Sequence, residues 1–414
     1  MRRTIFFDLE GPLSPQDNAY EVMKLVGKEG KAGERGKEGA RVFEAISKYD
    51  DFISLQEREG YEPGDTLALI VPFLLLHGVT EAEIKRVSER AKLVDGAREL
   101  FERLQEGGGE KEGKEREKEG KEREKEGKER EKEGKGGEKW EVYIISTSYE
   151  QHAYNVGRRL GVPEENIVCT RLDLEGARAR LGEEEAFFSL VEKVEEDLIG
   201  LYSSIDEAGR ERFVSRLDEF FFRQLPALGY DVLGATRVVG GERKAEAVRK
   251  IARAKGVRLS EVIAVGDSIT DYKMLREVAQ HGGVAVVFNG NEYAVPYANV
   301  GLASLNVGSL WVLCDAFARG GKRAVFEEVR RREEEKRGRE EEKRWRGWRE
   351  EEKRWREEEK RGEFGEFSGF GGFSGFEIPY FHNLERADER RRAEIIKLHK
   401  AFRMRVREDA GRLG

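Results

Sequence analysis

Short apolar runs recur along the chain, and a polar or charged residue follows most of them. The runs predict five strands, at residues 4–7, 142–145, 167–169, 262–265 and 284–288. Because these runs lack polar alternation, we expect strands that are buried on both faces of a parallel sheet. Apolar residues at helical spacing lie between them, at residues 151–160, 244–255 and 272–280. This alternation predicts an α/β fold with a doubly wound, Rossmann-like parallel sheet.

Two long helical segments interrupt the predicted core, which comprises residues 1–16, 140–175 and 230–320. The first segment, residues 17–105, leaves the core directly after the first strand and returns before the second. The sequence therefore predicts a helical cap that lies over the strand ends. Residues 176–229, which also have apolar positions at helical spacing, are predicted to form a second helical insertion.

Low-complexity segments account for much of the charge. Residues 106–139 contain the sequence GKEREKE at a period of seven, and residues 330–376 form a charged stretch followed by a Phe/Gly tract. Three tryptophans of the second segment share one helical face: Trp345, Trp348 and Trp355. They form either a contact stripe for a partner or a repeat expansion on an exposed rod. Residues 377–414 are predicted to contain a C-terminal helix, whose apolar face packs on the core or on a partner.

The overall charge excludes several classes of protein. The 76 Lys and Arg residues nearly balance the 83 Asp and Glu residues, for a net charge of −7, which excludes a uniformly basic nucleic-acid binder. No apolar run reaches the roughly 18 residues that a membrane helix needs. The two cysteines cannot build a disulfide framework, and the N-terminus lacks a signal-peptide pattern. We therefore expect a cytoplasmic protein without a membrane span or a nucleic-acid partner.

Chemically useful side chains follow the first two predicted strands. Asp8 and Glu10 come directly after the first strand, and Ser146 follows the second. Two carboxyl groups two positions apart suit a nucleophile and a general acid and base. In a doubly wound sheet the carboxyl ends of the strands meet at one edge, so these residues are expected to converge.

The fourth strand and a nearby helix start complete this set. Asp267 and Asp271 lie in the sequence GDSITD, and Lys244 follows the turn GGER. Mg²⁺ prefers oxygen ligands such as carboxylates, and a lysine can bind phosphate oxygens. Each residue alone would be interpreted as a cap or an ion pair, but together they predict a phosphoryl-transfer site.

These motifs resemble those of the haloacid dehalogenase superfamily, most of whose members are Mg²⁺-dependent phosphatases. The resemblance rests on FFDLEG, YIISTS, GERKAEAV and VGDSITD. It implies a catalytic set of Asp8 as nucleophile, Glu10 as acid and base, Ser146 (less well Thr147) as hydroxyl donor and Lys244. It also implies a Mg²⁺ cofactor held by Asp8, Glu10, Asp267 and Asp271. The superfamily usually has a second Asp at the position of Glu10. Enolase-phosphatases and a phosphoserine:homoserine phosphotransferase, which this motif also resembles, have Glu there.

The cap also resembles a known type. The sequence LVDGARELFERL, which precedes the second strand, is similar to phosphoserine phosphatases, whose helical cap leaves the core at the same point. Three residues of the cap are candidate substrate contacts, with solvated surface residues as the alternative: Asp17, Asn18 and Arg58. The substrate class implied is a small phosphorylated metabolite.

Two functions remain open from the sequence. The first motif, the cap and the Arg-rich C-terminal helix look most similar to archaeal proteins named energy-converting hydrogenase A subunit R. The first function is a Mg²⁺-dependent phosphatase or phosphotransferase with an aspartyl-phosphate intermediate. The alternative is an accessory subunit of an energy-converting hydrogenase complex that retains the fold. The sequence contains no CxxC pair, so it gives no sign of a metal-cluster site.

Overall fold

The computed structural model describes residues 3–27, 35–54, 56, 58–107, 139–181, 184–202, 207–337, 353 and 379–412. Most of the charged repeat at 106–139, the stretch after residue 337 with its three tryptophans, and the Phe/Gly tract lie outside the described residues. The predictions for these segments therefore stay predictions.

Seven strands form one sheet in the order β3-β2-β1-β4-β5-β6-β7. Their bounds are β1 Arg3–Phe7, β2 Trp140–Tyr149, β3 Ile167–Thr170, β4 Val262–Gly266, β5 Val284–Phe288, β6 Val300–Ala303 and β7 Tyr380–Asn383. All neighbouring pairs are parallel except β6 and β7. The structure thus confirms the predicted doubly wound α/β fold. Because β1 lies between β2 and β4, the residues that follow these three strands meet at one edge.

The continuous apolar runs have a simple explanation in this sheet. Successive side chains of a strand point to opposite faces, and helices cover both faces. On β1, Ile5 and Phe7 pack in the core of one face, whereas Phe6 packs with Tyr143 and Ile145 on the other. A polar residue at any of these positions would be buried on either face, which is why no alternation appears.

The helices follow the doubly wound plan, with short 3₁₀ turns between some of them. Their bounds are α1 Asn18–Met23, α2 Arg35–Ser54, α3 Thr66–Leu69, α4 Val71–Leu76, α5 Glu81–Glu89, α6 Ala97–Glu106, α7 Glu150–Arg159, α8 Leu174–Ala179, α9 Glu184–Tyr202, α10 Glu207–Glu219, α11 Leu225–Ala227, α12 Val232–Ala235, α13 Glu242–Lys255, α14 Tyr272–Gln280, α15 Trp311–Arg337 and α16 Glu389–Arg407. A π-helical turn, Phe220–Gln224, joins α10 to α11.

The two helical insertions share one apolar core. Phe43 and Phe73 of the first segment pack in the same cluster as Phe187 and Phe220 of the second. The last helix of the predicted cap, α6, packs on the sheet instead, with the rings of Phe7 and Phe101 5.1 Å apart. The two insertions therefore form one helical cap above the strand ends. Helix α6 instead belongs to the helical layer that packs on the sheet.

The chain after the low-complexity segments returns to the core. Strand β7 pairs with β6, and Leu398 and Phe402 of α16 pack with Ala303 of β6. Of the two placements left open for this helix, the structure shows packing on the core.

The described helices are short or polar relative to a membrane span. No single helix among them is long and apolar enough to cross a membrane. One pair, Thr66–Leu76 with Glu81–Glu89, reaches the required length and composition only when its two parts are joined across a bend of 120°.

Candidate active site

A cluster of three carboxylates forms where β1 and β4 end. Asp8 follows β1, Asp267 follows β4, and Asp271 lies directly before α14. One oxygen of each lies within 4.8 Å of the others, and all three side chains are buried. The parallel register of β1 and β4, with Phe7 opposite Val265, produces this convergence of residues more than 250 positions apart.

Lys244 bridges two of the three carboxylates. Its Nζ lies 2.6 Å from Oδ1 of Asp8 and 2.7 Å from Oδ1 of Asp271, and the side chain is fully buried. Burial lowers the pKa of Lys244, but the charges of Asp271 and Asp8 outweigh it and raise the pKa overall. Burial, followed by the charge of Asp271, raises the pKa of Asp8 well above its ordinary value, and Lys244 opposes this rise. The lysine therefore offsets part of the negative charge of this buried pair of carboxylates.

The loop that carries Asp267 is held in one conformation. Oδ2 of Asp271 accepts hydrogen bonds from the backbone N–H groups of Asp267, at 2.9 Å, and Ser268, at 3.1 Å. Gly11 approaches from β1 with φ +104°, and a Cβ at this position would lie 2.2 Å from Oδ2 of Asp267. Only glycine fits here, because the backbone that follows β1 runs against the carboxylate of Asp267.

Two arginines of α16 reach this cluster, and the sequence analysis did not place them there. Arg403 forms a short ion pair with Oδ2 of Asp267, and Arg407 Nη1 lies 3.1 Å from the same oxygen. Both arginines are buried. One signal could have found them: with Ile395 and His399 they continue a series of every fourth residue along the buried face of the helix.

The donor set fits a hard divalent cation such as Mg²⁺. Oδ1 of Asp267 is buried and has no hydrogen-bond partner among the described residues, so it can take a ligand without losing a bond. Burial raises the pKa of Asp267, and the negative charge of Asp271 adds to the rise, which means that added positive charge would stabilise the cluster. Carboxylate oxygens are the ligands that Mg²⁺ prefers.

Glu10 lies two residues after Asp8, in the core segment before the cap begins. Its Oε1 accepts a hydrogen bond of 2.9 Å from the backbone N–H of Asn18 and lies 3.9 Å from Nε2 of the buried His152. Burial, followed by the charge of Asp17, raises the pKa of Glu10 to about 7. Burial lowers the pKa of His152 to about 3, so this neighbour is a neutral imidazole.

The two hydroxyl candidates on β2 differ in their surroundings. Oγ of Ser146 accepts a hydrogen bond of 3.1 Å from the backbone N–H of Ser148, and Ser146 is not among the described residues that line the pocket. Thr147 does line the pocket, and its buried hydroxyl has no partner within the described part of the chain. The geometry thus gives Thr147 the more available hydroxyl, although the resemblance favoured Ser146.

A small pocket lies between the cluster and the cap. Its volume is about 90 Å³. The lining comes from the core, the cap and α16: Asp8, Glu10, Asp17, Phe43, Ser47, Asp50, Asp51, Gly64, Thr66, Leu67, Thr147, Ser268, Ile269, Thr270, Arg403 and Arg407. This volume is roughly that of three water molecules. It is large enough for a phosphoryl group.

The three candidate cap contacts are placed differently. Asp17 lines the pocket and caps α1 by accepting a bond from Tyr20 N–H. Asn18 is buried behind Glu10 and contributes its backbone N–H, as described above. Arg58 forms a two-pronged ion pair with Asp218, at 2.8 and 2.7 Å, and is not among the described residues that line the pocket.

A loop of the cap is fastened to the core next to the site. Glu62 accepts bonds from Lys273, at 2.9 Å, and from the backbone N–H of Glu242, at 2.8 Å. Asp65 pairs with Arg243 at 2.5 Å. These contacts hold this loop of the cap against the core, next to the start of α13, which carries Lys244.

Comparisons with known proteins give one family match and several similar structures. Residues 238–308 match the family model described as haloacid dehalogenase-like hydrolase. A gene product from Archaeoglobus fulgidus of known structure is 25% identical, with a TM-score of 0.68 over 100% of this chain and 99% of its own. An apo phosphoserine phosphatase is similar over 75% of this chain and 98% of its own, at 12% identity and a TM-score of 0.40. A phospho-aspartyl intermediate analogue of phosphoserine phosphatase gives 13% identity, 75% and 97% coverage, and a TM-score of 0.41. No protein of curated function matches the sequence.

Proposed function

We propose that the chain is a phosphatase or phosphotransferase of the haloacid dehalogenase-like hydrolase type, acting on a small phosphorylated metabolite. One observation carries the proposal: a buried lysine bridges the carboxylate that follows β1 and one that precedes α14, beside a pocket of phosphoryl size. A protein that only kept the fold would gain nothing from burying these charges, because a buried ion pair is at best a weak source of stability.

The reaction begins at Asp8. Its carboxylate oxygen attacks phosphorus, the bond from phosphorus to the leaving oxygen breaks, and an aspartyl phosphate forms. Glu10, which lines the same pocket, gives its proton to the leaving oxygen. Water, or the hydroxyl of an acceptor, then attacks phosphorus and gives its proton back to Glu10. The bond between phosphorus and the Asp8 oxygen breaks, and the free carboxylate is restored.

Other residues bind and orient the phosphoryl group. Lys244 holds the nucleophile by its 2.6 Å hydrogen bond to Asp8. The hydroxyl of Thr147 or Ser146 donates to another oxygen. Asp8 and Asp267, with the carbonyl of Glu10, would hold Mg²⁺, and Asp271 would orient Lys244. When bound, the ion would offset negative charge on the phosphoryl oxygens.

The size of the pocket supports a small substrate. Ligand pockets for whole metabolites or drugs are commonly several hundred Å³, whereas this pocket holds about 90 Å³ with the cap closed. Either the leaving group is small or the loop held by Glu62 and Asp65 opens to admit it. The acidic cap residues Asp50 and Asp51 disfavour a leaving group with additional negative charge on that side.

The test is a panel of phosphorylated metabolites with Mg²⁺, read by release of inorganic phosphate. Wild type is expected to turn over at least one small ester, and Asp8→Asn to lose turnover by a factor of a thousand or more, because an amide is not a nucleophile. Asp315→Asn changes a half-exposed carboxylate of α15 and serves as the matched control. Turnover by Asp8→Asn at the wild-type rate would contradict the aspartyl-phosphate route.

The accessory-subunit function stays a prediction from resemblance. It would gain support if no ester of the panel were hydrolysed while the folded protein co-purified with a hydrogenase complex. The charged cluster and its adjoining pocket favour catalysis over this accessory function.

A further inference from the structure

A buried histidine lies next to Glu10, and no step of the proposed reaction uses it. His152 belongs to the first turn of α7 and is fully buried. Its Nε2 lies 3.9 Å from Oε1 of Glu10. Neither ring nitrogen has a hydrogen-bond partner among the described residues. Because buried polar groups are ordinarily hydrogen-bonded, two such nitrogens beside the proposed acid and base require an explanation.

Packing alone does not explain an imidazole at this position. Ala153 and Val156 of the same helix pack in the apolar core on one face of the sheet. An apolar side chain would fill the place of His152 equally well, whereas burying two ring nitrogens without partners costs free energy. This cost is understandable if one nitrogen gains a partner during the reaction, and the carboxyl group of Glu10 lies 3.9 Å from Nε2.

The carboxyl group of Glu10 is held from one side by the backbone. Its Oε1 accepts the 2.9 Å hydrogen bond from the N–H of Asn18. A single hydrogen bond fixes one oxygen but not the plane of the carboxyl group, because carbonyl oxygens accept bonds over a broad range of directions. The gap between Oε1 and Nε2 exceeds a hydrogen bond by about 1 Å. Catalytic hydrogen bonds are often this long until the reacting complex forms.

We infer that His152 is a positioning residue for Glu10, whose Oε1 accepts a hydrogen bond from the Nε2–H of His152 after Glu10 has given its proton to the leaving oxygen. The inference rests on the proposed function and deepens it. Two donors on Oε1 fix the carboxylate and leave Oε2 to take the proton of the incoming water or acceptor. A bond to a charged oxygen is stronger than a bond to a neutral one, so the contact forms for the second step. His152 keeps its own proton throughout.

Rapid-quench kinetics with acetyl phosphate and Mg²⁺ separates the two steps. Acetate leaves without needing a proton, so formation of the aspartyl phosphate does not depend on Glu10, whereas its breakdown by water does. His152→Leu removes the N–H, and His152→Gln keeps an N–H donor near the position of Nε2. His281→Leu, at an exposed position directly after α14, is the matched control. Circular dichroism and the unfolding midpoint check the fold, and His152→Met, which also lacks the donor, replaces the Leu variant if that variant does not fold.

The inference predicts a change in one step only. His152→Leu is expected to form the aspartyl phosphate at a rate within about threefold of wild type and to break it down about 10- to 100-fold more slowly, which is less than the loss of a general base itself. Labelled protein therefore accumulates in this variant. His152→Gln is expected to recover most of the breakdown rate, and the control variant is expected to match wild type in both steps.

Three results would overturn the inference. Equal losses in the two steps of His152→Leu would show that the histidine only supports the structure of the site. An unchanged breakdown rate would show that Glu10 is positioned without it, and a Gln variant as slow as the Leu variant would show that the N–H donor is not what matters. The proposed function fails in a different way, through the absence of any aspartyl phosphate in wild type.

Discussion

Removing the charge of Lys244 tests how the carboxylate cluster is held together. In Lys244→Met the side chain keeps nearly its length, but Asp8 and Asp271 lose the hydrogen bonds of 2.6 and 2.7 Å that neutralise them. The side chain is fully buried, so water cannot replace the ammonium without rearrangement. The two arginines of the cluster, Arg403 and Arg407, form ion pairs with Asp267.

The expected cost follows from this geometry. Breaking a buried ion pair on one side typically destabilises a protein by about 3–5 kcal/mol, and here one cation serves two anions. We therefore expect the free energy of unfolding to fall by about 3–5 kcal/mol at pH 7 when no metal is added. Adding Asp271→Asn to the variant removes one stranded charge and is expected to restore about 1–2 kcal/mol, because the two positions are in direct contact.

Urea unfolding of the single and double variants measures these differences. Lys250→Met, at an exposed position of the same helix, is the control and is expected to change stability by less than about 0.5 kcal/mol. A loss below about 1 kcal/mol in Lys244→Met would refute the reasoning, since it would mean that the cluster does not depend on this lysine. A double variant that is less stable than the single one would do the same.

Three further predictions address the loop contact, the cap and the repeat. Gly11→Ala is expected to lower activity at least tenfold, because its Cβ would overlap Asp267, whereas Gly256→Ala, with a similar φ of +67° but open space, is expected to cost about 1 kcal/mol of stability and no activity. Burial raises the pKa of Asp50 to about 6, so its buried carboxyl favours folding at low pH and this contribution is lost as the pH rises from about 4 to 6. The stability of wild type relative to Asp50→Asn, from denaturant unfolding, is expected to fall by up to about 3 kcal/mol over that range, and a flat difference would contradict it. Replacing residues 108–138, which carry no apolar side chain, by a short Gly/Ser linker is expected to leave the melting temperature and turnover nearly unchanged; a loss of several kcal/mol would show that they pack on the protein.

The strands that form the site could be predicted from local pattern. Residues 262–265 and 284–288 are apolar without interruption, and such runs belong to strands that are covered on both faces. The residues that follow the strands meet because the sheet is parallel, so Asp8 and Asp267 could be placed together from the sequence alone.

The last two strands of the sheet, β6 and β7, could not be predicted in the same way. Strand β6 has only four residues and contains Gly301, and β7 follows a long low-complexity segment. Their pairing is antiparallel and joins Val300 to Asn383, so no local signal connects them. Tertiary pairing, rather than propensity, defines such short strands.

The role of α16 was also beyond local pattern. Arg403 and Asp267 are 136 positions apart, and arginines near the end of a helix are ordinarily solvated. The sequence shows that the two arginines share the helix face of Ile395. It does not show that Asp267 lies against that face. The choice between Ser146 and Thr147 had the same limit, because a shift of one residue along β2 decides which hydroxyl faces the pocket.

Trapping the covalent intermediate tests the central claim most directly. The protein is incubated with radiolabelled acetyl phosphate and Mg²⁺, quenched in acid and digested, and the labelled peptide is sequenced by mass spectrometry. The proposed chemistry predicts an acid-stable, hydroxylamine-sensitive label on Asp8, greater in Glu10→Gln because the base for the second step is lost, and no label in Asp8→Asn. Turnover of a phosphate ester without any label on Asp8, or an undiminished label in Asp8→Asn, would contradict it.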